Sequence, residues 1–249
     1  MAGNVAVAGA SVSSRLFAVL DCFEVGASAL SLTDIANRSG LPLSTARRLV
    51  SDLVAWGGLV QHEDRRFRIG MRLWKIGSLA SDQRVLREAA LPYMHDLYEA
   101  TQENIQLAVL DGLEALCVEK ISGVRAVPTF THLGGRLPLH ATGVGKILLA
   151  FSPREVVAAV LAQGLAPMTC HTITEPGRLV SELAKVRQSR IAFSQEEMSL
   201  GAVSVASVIE GSNGAMRGAV SIVSRSAARL DRLEPAVRTA ALGISRACI

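Results

Sequence analysis

Leu16, Val19, Leu20 and Phe23 recur at i, i+3, i+4 and i+7, the spacing that lays one apolar stripe along an α-helix. Ser31-Leu32-Thr33-Asp34 reads as a capping-box start for a second helix carrying Ile35 and Ala36. Gly40 marks its end, where a helix terminus often turns left-handed. A third helix opens at Ser44, just after Pro42. Its inward positions are Ala46, Leu49, Val50, Leu53 and Val54, and its outward ones are Ser44, Thr45, Arg47, Arg48, Ser51 and Asp52. Residues 58–62 and 67–69 then pair as a hairpin around Glu63-Asp64-Arg65. Arg66 and Arg68 fall on one face of the second strand, Phe67 and Ile69 on the other.

Beyond this head, Met71, Leu73, Trp74, Ile76, Leu79 and Ala80 give an apolar-rich connector helix over 71–83. It carries more apolar surface than a small head can cover, which predicts pairing with a second copy. The helical stretch 84–101 contains Pro92, so a kink or break is expected there. From Asn104 onward the texture changes to alternating strands, glycine turns and interspersed helices. Ile105, Leu107 and Val109 alternate, Asp111-Gly112 makes a hairpin turn, and Leu116, Val118 and Lys120 share a face of the next strand. Residues 202–209 and 219–224 form a further strand pair. Val203, Val205, Val220 and Ile222 would pack against helices, while Ser204, Ala206, Ser221 and Val223 make an opposite face of small residues. Such a face leaves room for a small ligand with hydroxyl donors in place, or is filled by the close approach of a helix; the pattern alone allows both. The organisation expected is a disordered tail over 1–12, a head over 13–70, the connector over 71–83 and a body over 84–249.

Composition narrows the class. Of 249 residues 49% are apolar and 19% charged, which excludes a mostly disordered chain. The net charge of +4 is mild, so a nucleic-acid role must rest on locally placed charge. That local charge exists: Arg38, Arg47, Arg48, Arg65, Arg66, Arg68, Arg72 and Lys75 face only Asp52, Glu63 and Asp64 in the same stretch, a balance of +5. No apolar run reaches the length of a bilayer span. The first 14 residues are uncharged and lack the basic start of a secretion signal. Cys22, Cys117, Cys170 and Cys248 lie far apart without a CxxC pair, which reads as buried thiols in a reducing cytoplasm.

The head has the chemistry of a DNA reader. Two helices joined by a four-residue turn, the second presenting hydroxyls and two arginines near its N-terminus, form a helix-turn-helix. Helix amides and arginines attract phosphate, while Ser, Thr and Arg side chains can reach base edges in the major groove. A basic-tipped hairpin directly after such a helix is a wing able to lie along the phosphate backbone. The bland alternative is a structural three-helix module with solvated arginines.

Catalytic signals are weak. Gly143-Val144-Gly145-Lys146 suggests a phosphate loop, but His140 stands where its first glycine belongs and Ile147 replaces the magnesium-binding hydroxyl. A glycine turn opening a helix over 146–151, with amides that can still hold a carboxylate, fits better. His95, His132, His140 and His171 show no metal-ligand spacing. Glu196-Glu197 offers carboxylates but no partner nucleophile or base. No catalytic residue, metal site or cofactor is expected.

Several stretches together carry a resemblance: Leu41-Pro42-Leu43-Ser44-Thr45-Ala46-Arg47-Arg48-Leu49, Phe67-Arg68-Ile69-Gly70 with Leu73 and Gly77, residues 135–146 (Gly135-Arg136-Leu137-Pro138-Leu139-His140 through Lys146), Glu196-Glu197 with Gly201, and Ala219-Val220-Ser221-Ile222. From about Ser13 to its C-terminal helix the chain resembles IclR-type bacterial transcriptional regulators. The resemblance implies an α+β protein with an N-terminal winged helix-turn-helix, a linker helix and a C-terminal α/β effector-binding domain of GAF-like or profilin-like type. It also implies a homodimer or dimer of dimers that binds a small metabolite such as an organic or aromatic acid. By position, the effector pocket would fall on Leu137, Gly143, Val144, Ser194, Ser204, Ser221 and Val223. The chain departs from the family pattern at Arg190-Ile191 (usually Gly-Tyr), Ser194 (often Asp), Val223 (a Ser) and Ser224-Arg225 (usually Gly-Pro); loss of the acidic side chain at 194 favours a more acidic ligand.

The expected protein is thus a cytoplasmic, membrane-free regulator of double-stranded operator DNA. Ser44, Thr45, Arg47, Arg48 and Ser51 would meet the major groove and Arg65, Arg66 and Arg68 the backbone. A small effector would act through the connector. The rivals are an enzyme acting on a small carboxylic acid with a DNA-binding appendage, and a nucleoid-type DNA binder with a structural body.

Overall fold

A computed structural model describes residues 11–24, 29–124, 127 and 131–248. The chain divides into two compact units, Met1–Ser81 and Asp82–Ile249.

In the first unit, α1 (Val12–Asp21) is capped by Ser11, whose hydroxyl accepts the Ser14 N–H at 3.0 Å. The expected tail over 1–12 therefore needs correcting at its end, because Ser11 and Val12 belong to this helix; residues 1–10 lie outside the described residues. α2 (Leu32–Ser39) starts with the predicted box. The Ser31 hydroxyl accepts the Asp34 N–H at 3.1 Å, and the Asp34 carboxylate accepts the Ser31 N–H at 3.0 Å. The Ser31 hydroxyl also donates to the Asp34 carboxylate at 2.7 Å, and this bond, with that from the Ser31 N–H, holds the Asp34 carboxyl below the ordinary range. Gly40, at φ 65°, turns the chain toward α3 (Leu43–Trp56), which begins one residue earlier than Ser44 because Pro42 already stands at its N-cap. β1 (Leu59–Gln61) and β2 (Phe67–Ile69) pair antiparallel, Leu59 opposite Ile69 and Gln61 opposite Phe67. Val19, Leu30, Ile35, Leu49, Leu53, Leu59 and Phe67 form the core of this unit. Ile69 stays exposed, so the inward face of the short second strand is Phe67 alone.

The connector is not one helix over 71–83. α4 (Met71–Gly77) ends, and α5 (Ser81–Thr101) begins after a three-residue break. No side chain of α4 is buried; Met71, Trp74, Ile76 and Leu79 all stand exposed.

In the second unit α5 runs through Pro92 as a single helix, so of the kink or break expected there the break does not occur. Leu86, Ala90, Met94 and Leu97 anchor it on the sheet from both sides of the proline, so packing carries the turn in which Pro92 donates no hydrogen bond. Six antiparallel strands follow the order β5-β4-β3-β8-β7-β6: β3 (Asn104–Asp111), β4 (Glu114–Ile121), β5 (Arg136–Pro138), β6 (Ile191–Gln195), β7 (Ala202–Glu210) and β8 (Met216–Arg225). One face carries Ile105, Leu107, Val109, Val203, Val205, Val220 and Ile222, covered by α5 and by α9 (Leu230–Ala247). The other faces α6 (Gly143–Ala150), with α7 (Arg154–Gln163) and α8 (Pro176–Ser189) beyond it. On that side Ala108, Ala192, Ala206 and Ala219 admit α6 closely. The molecule is α+β, with helix-rich head and sheet-centred body.

Candidate functional site

The head gathers its predicted residues on α3 and the hairpin. Ser44, Arg47, Arg48 and Ser51 are exposed on α3, with Thr45 half-buried in its first turn. Arg65, Arg66 and Arg68 are exposed on the hairpin. The turn is tight. The His62 N–H donates to the Arg66 carbonyl and the Arg65 N–H to the His62 carbonyl, each at 2.9 Å, and Asp64 Oδ1 accepts the Arg66 N–H at 3.0 Å. Arg65 pays for this geometry with a left-handed φ of 60°. Arg47 and Ser51 of α3, with Gln61 and Arg65 of the hairpin, line one groove of about 400 Å³ whose floor includes Val50, Val54 and Phe67. No acidic side chain lines it among the described residues. Such a groove offers guanidinium and hydroxyl donors to a polyanion.

The body brings its seven predicted residues to one cavity. Leu137 of β5, Gly143 and Val144 of α6, Ser194 of β6, Ser204 of β7, and Ser221 and Val223 of β8 all line it. The small-residue face is divided: Ala206 packs under α6, while Ser204, Ser221 and Val223 line a cavity. Thr142 caps α6 by accepting the Gly145 N–H at 3.0 Å, so the helix opens three residues before the predicted Lys146. Gly143 and Val144 thereby supply first-turn amides, which lack intrahelical acceptors, to the cavity wall. A Cβ at 143 would come within 2.8 Å of the Ser204 hydroxyl, so any larger residue there requires that side chain to shift. Ser194 donates to the Ala141 carbonyl at 3.1 Å. Ser221 is 1% exposed and its hydroxyl has no partner.

Sequence reasoning did not find Gln106, Thr131, Thr142, Met198 and Ser199, which also line this cavity. Gln106 was detectable: it is a long polar side chain between Ile105 and Leu107, in a strand otherwise apolar between its two end residues, and it sits opposite Ser221 in the β3–β8 register. No cationic or anionic side chain lines the cavity among the described residues, so every donor there is neutral. Its volume is about 50 Å³. A wider depression of about 550 Å³, bordered by His171, Glu196, Arg229 and Asp231, is open and already internally paired, Arg229 bonding Asp231 at 2.7 Å.

Lys146, fully buried, fixes the cavity's helix to its outer loop. Its ammonium donates to Glu197 Oε1 at 2.6 Å and to the Phe193 carbonyl at 2.9 Å. This also closes the edge of the sheet. On β6 the Ile191 N–H and carbonyl bond the Ser189 hydroxyl, Lys146 takes the Phe193 carbonyl, and Glu197 Oε1 accepts the Gln195 N–H at 3.4 Å. Side chains thus occupy edge groups that would otherwise invite another strand. Glu197, weighed above as a catalytic carboxylate, is part of this bolt. His140 bonds the Ala166 carbonyl at 3.0 Å. No group of three or more His, Cys, Asp or Glu side chains placed to hold a metal ion occurs among the described residues. Nor is any helix among them long and apolar enough to cross a membrane. Cys22, Cys117 and Cys248 are buried, but Cys170 is exposed, contrary to the expectation for all four; it lies in the loop 166–172 rather than on a packed element.

Comparison with known proteins points the same way. Residues 13–63 match the family described as "IclR helix-turn-helix domain", and residues 79–246 match "Bacterial transcriptional regulator IclR C-terminal". The chain is 31% identical to the HTH-type transcriptional regulator XynR of Escherichia coli (strain K12), over 94% of this chain and 95% of that one. It is 33% identical to the HTH-type transcriptional repressor AllR of Salmonella typhi, over 89% and 82%. Among solved structures, an IclR homolog of Microbacterium hydrocarbonoxydans complexed with 4-hydroxybenzoate superposes with a TM-score of 0.91 at 34% identity, covering 96% of this chain and 99% of that one.

Proposed function

The chain belongs to the IclR family of bacterial transcriptional regulators, and from that premise we propose how its two units divide the work. α3 enters the major groove of a double-stranded operator with Ser44, Thr45, Arg47, Arg48 and Ser51, while Arg65, Arg66 and Arg68 hold the flanking phosphates. The body binds a small organic or aromatic acid, and occupancy of its cavity changes operator affinity. Two sites linked in this way must influence each other reciprocally.

The observation that carries the ligand reading is convergence. Residues from β3, β5, β6, β7 and β8 and the first turn of α6 enclose one space in which the Ser221 hydroxyl is buried without a partner. A buried polar group left unpaired costs about 1–3 kcal/mol, so a site that ordinarily holds a polar ligand explains it. The α6 amides would take a carboxylate, and the 4-hydroxybenzoate bound to the Microbacterium relative is an acid of this chemistry.

A second copy covers the exposed Met71, Trp74, Ile76 and Leu79 of the α4 region, and the regulator works as a dimer or dimer of dimers in the cytoplasm. Turnover of a small acid draws no support from Glu197, whose buried carboxylate is paired with Lys146. The test is a mobility shift of the protein on its own upstream DNA, with and without a panel of carboxylates. A specific shift altered by at least one acid is the expected result; binding without sequence preference, indifferent to every acid, would favour a nucleoid-type role instead.

A further inference from the structure

Most of the cavity wall is fixed by strand pairing or by the first turn of α6, but Thr131 comes from the segment before β5, and Met198 and Ser199 from the loop between β6 and β7. Left-handed residues bracket that loop, Glu196 at φ 57° and Gly201 at φ 79°. Its first half is pinned. The Thr169 hydroxyl donates to the Glu196 carbonyl and the Thr172 hydroxyl to the Glu197 carbonyl, each at 2.7 Å, and Lys146 holds the Glu197 carboxylate. Met198 therefore leaves a fixed point of the backbone, half-buried, with its side chain reaching the cavity and the α6-side core.

With Met198 in place the cavity offers about 50 Å³. That is space for roughly four waters, whereas sites for drug-sized ligands start at about 300 Å³. The polar residues lining it include Gln106, Thr142, Ser194, Ser199, Ser204 and Ser221, beside the first turn of α6. They suit a carboxylate with one further oxygen close by. Methionine is unbranched and has several rotatable bonds, so its Cγ, Sδ and Cε can fill or vacate a gap without moving the backbone.

We propose that Met198 is the specificity-determining residue of this cavity: with its side chain inserted the site takes a short hydroxy- or oxo-acid and excludes a ring. Met198 lines the same small cavity as the first turn of α6 and also packs on the α6-side core, so its side chain limits what fits beside a carboxylate held there. This rests on the reading of the cavity as the effector site.

Calorimetric titration of the full chain with lactate and benzoate as probes tests it, using the unaltered protein, Met198→Ala, Met198→Phe and Ser204→Phe. Melting temperature serves as the control for folding. The unaltered protein should bind lactate and favour it over benzoate. Met198→Ala should raise benzoate affinity by about tenfold or more while leaving lactate within a few-fold, and Met198→Phe should weaken lactate by a similar factor. Ser204→Phe, which fills the same space from the sheet, should abolish both. Preference for benzoate in the unaltered protein, or an unchanged lactate-to-benzoate ratio in Met198→Ala, overturns the role of Met198 and leaves the effector site standing. Lactate and benzoate both silent in every folded variant would overturn the two together.

Discussion

Lys146 Nζ and Glu197 Oε1 meet at 2.6 Å with their side chains only 1% and 9% exposed, so α6 and the loop after β6 are joined by an ion pair almost without water. One of its atoms, Glu197 Oε2, has no partner. Burying two charges roughly cancels their attraction, but removing one leaves the other stranded. Lys146→Met should therefore destabilise the protein by about 3–5 kcal/mol in urea unfolding, and Lys146→Met with Glu197→Leu should recover much of that loss. A single variant as stable as the unaltered chain would show that the pair is open to solvent.

Arg48 and Arg66 separate two kinds of DNA contact. Arg48 projects from α3 and Arg66 from the hairpin turn, and both are exposed. Arg48→Ala should cost about 1–3 kcal/mol on the operator and much less on unrelated DNA. Arg66→Ala should weaken both alike and lower the salt dependence by about one counterion. Fluorescence anisotropy over a salt series distinguishes them, and equal losses for Arg48→Ala on both DNAs would reassign it to phosphate.

The head was legible because its determinants are local. The Ser31–Asp34 box, Gly40 and the arginines of α3 act within a few residues of themselves, and the structure differs there by a residue at the helix start. The wall of the cavity was legible by another route: alternation on β7 and β8 put Ser204, Ser221 and Val223 on one face before any partner strand was known. What escaped depends on distance. A lysine in the first turn of a helix reads as solvated, and the burial of Lys146 follows from a carboxylate 51 residues away. Met198 lies in an irregular loop with no period to betray its direction. Pro92 predicted a kink or a break from backbone chemistry alone, and sheet contacts on either side of it keep the helix continuous.

Gly143 and Gly145 should respond differently to an added methyl. At Gly145 a Cβ would meet the Leu139 Cα and carbonyl oxygen at 2.7 Å, backbone that cannot swing aside. At Gly143 it would meet the Ser204 hydroxyl at 2.8 Å, a side chain. Gly145→Ala should lose about 1–3 kcal/mol, or more, by thermal unfolding. Gly143→Ala should lose less, regain stability with Ser204→Ala, and bind acids poorly while still binding DNA. Equal losses at the two positions would mean that α6 shifts as a whole.

Cys117 links stability to alkaline pH. Burial pushes its thiol up to about 11 from an ordinary 9.0, with the nearby Lys120 only partly opposing. Between those values the unfolded chain has released the proton and the folded chain retains it, so stability falls as pH rises, by roughly 2–3 kcal/mol across the window. Burial lowers Lys120 below its usual 10.5, and that works the other way: the folded chain loses the proton first, and stability rises up to that pH. Urea midpoints from pH 8.5 to 10.5, about the span in which the two effects overlap, should fall less steeply in Cys117→Ala than in the unaltered chain. Identical slopes would place the thiol in contact with water.

Arg190 tests whether a departure from the family pattern is structural or incidental. It ends α8 in the left-handed region at φ 64°, where a side chain costs about 1 kcal/mol relative to glycine. In return its guanidinium pairs with Glu210 and lies 5.7 Å from the Phe151 ring centroid. The ion pair is partly exposed, 44% and 25%, so screening limits it to at most about 1 kcal/mol. Arg190→Gly exchanges these contacts for relief of the backbone and should leave stability within about 1 kcal/mol of the unaltered chain. Arg190→Ala loses the contacts and keeps the strain, so it should fall about 1 kcal/mol below Arg190→Gly. Thermal melts of the two variants decide it. If alanine matched glycine, the left-handed turn would carry no cost here, and the arginine would be retained for its contacts alone.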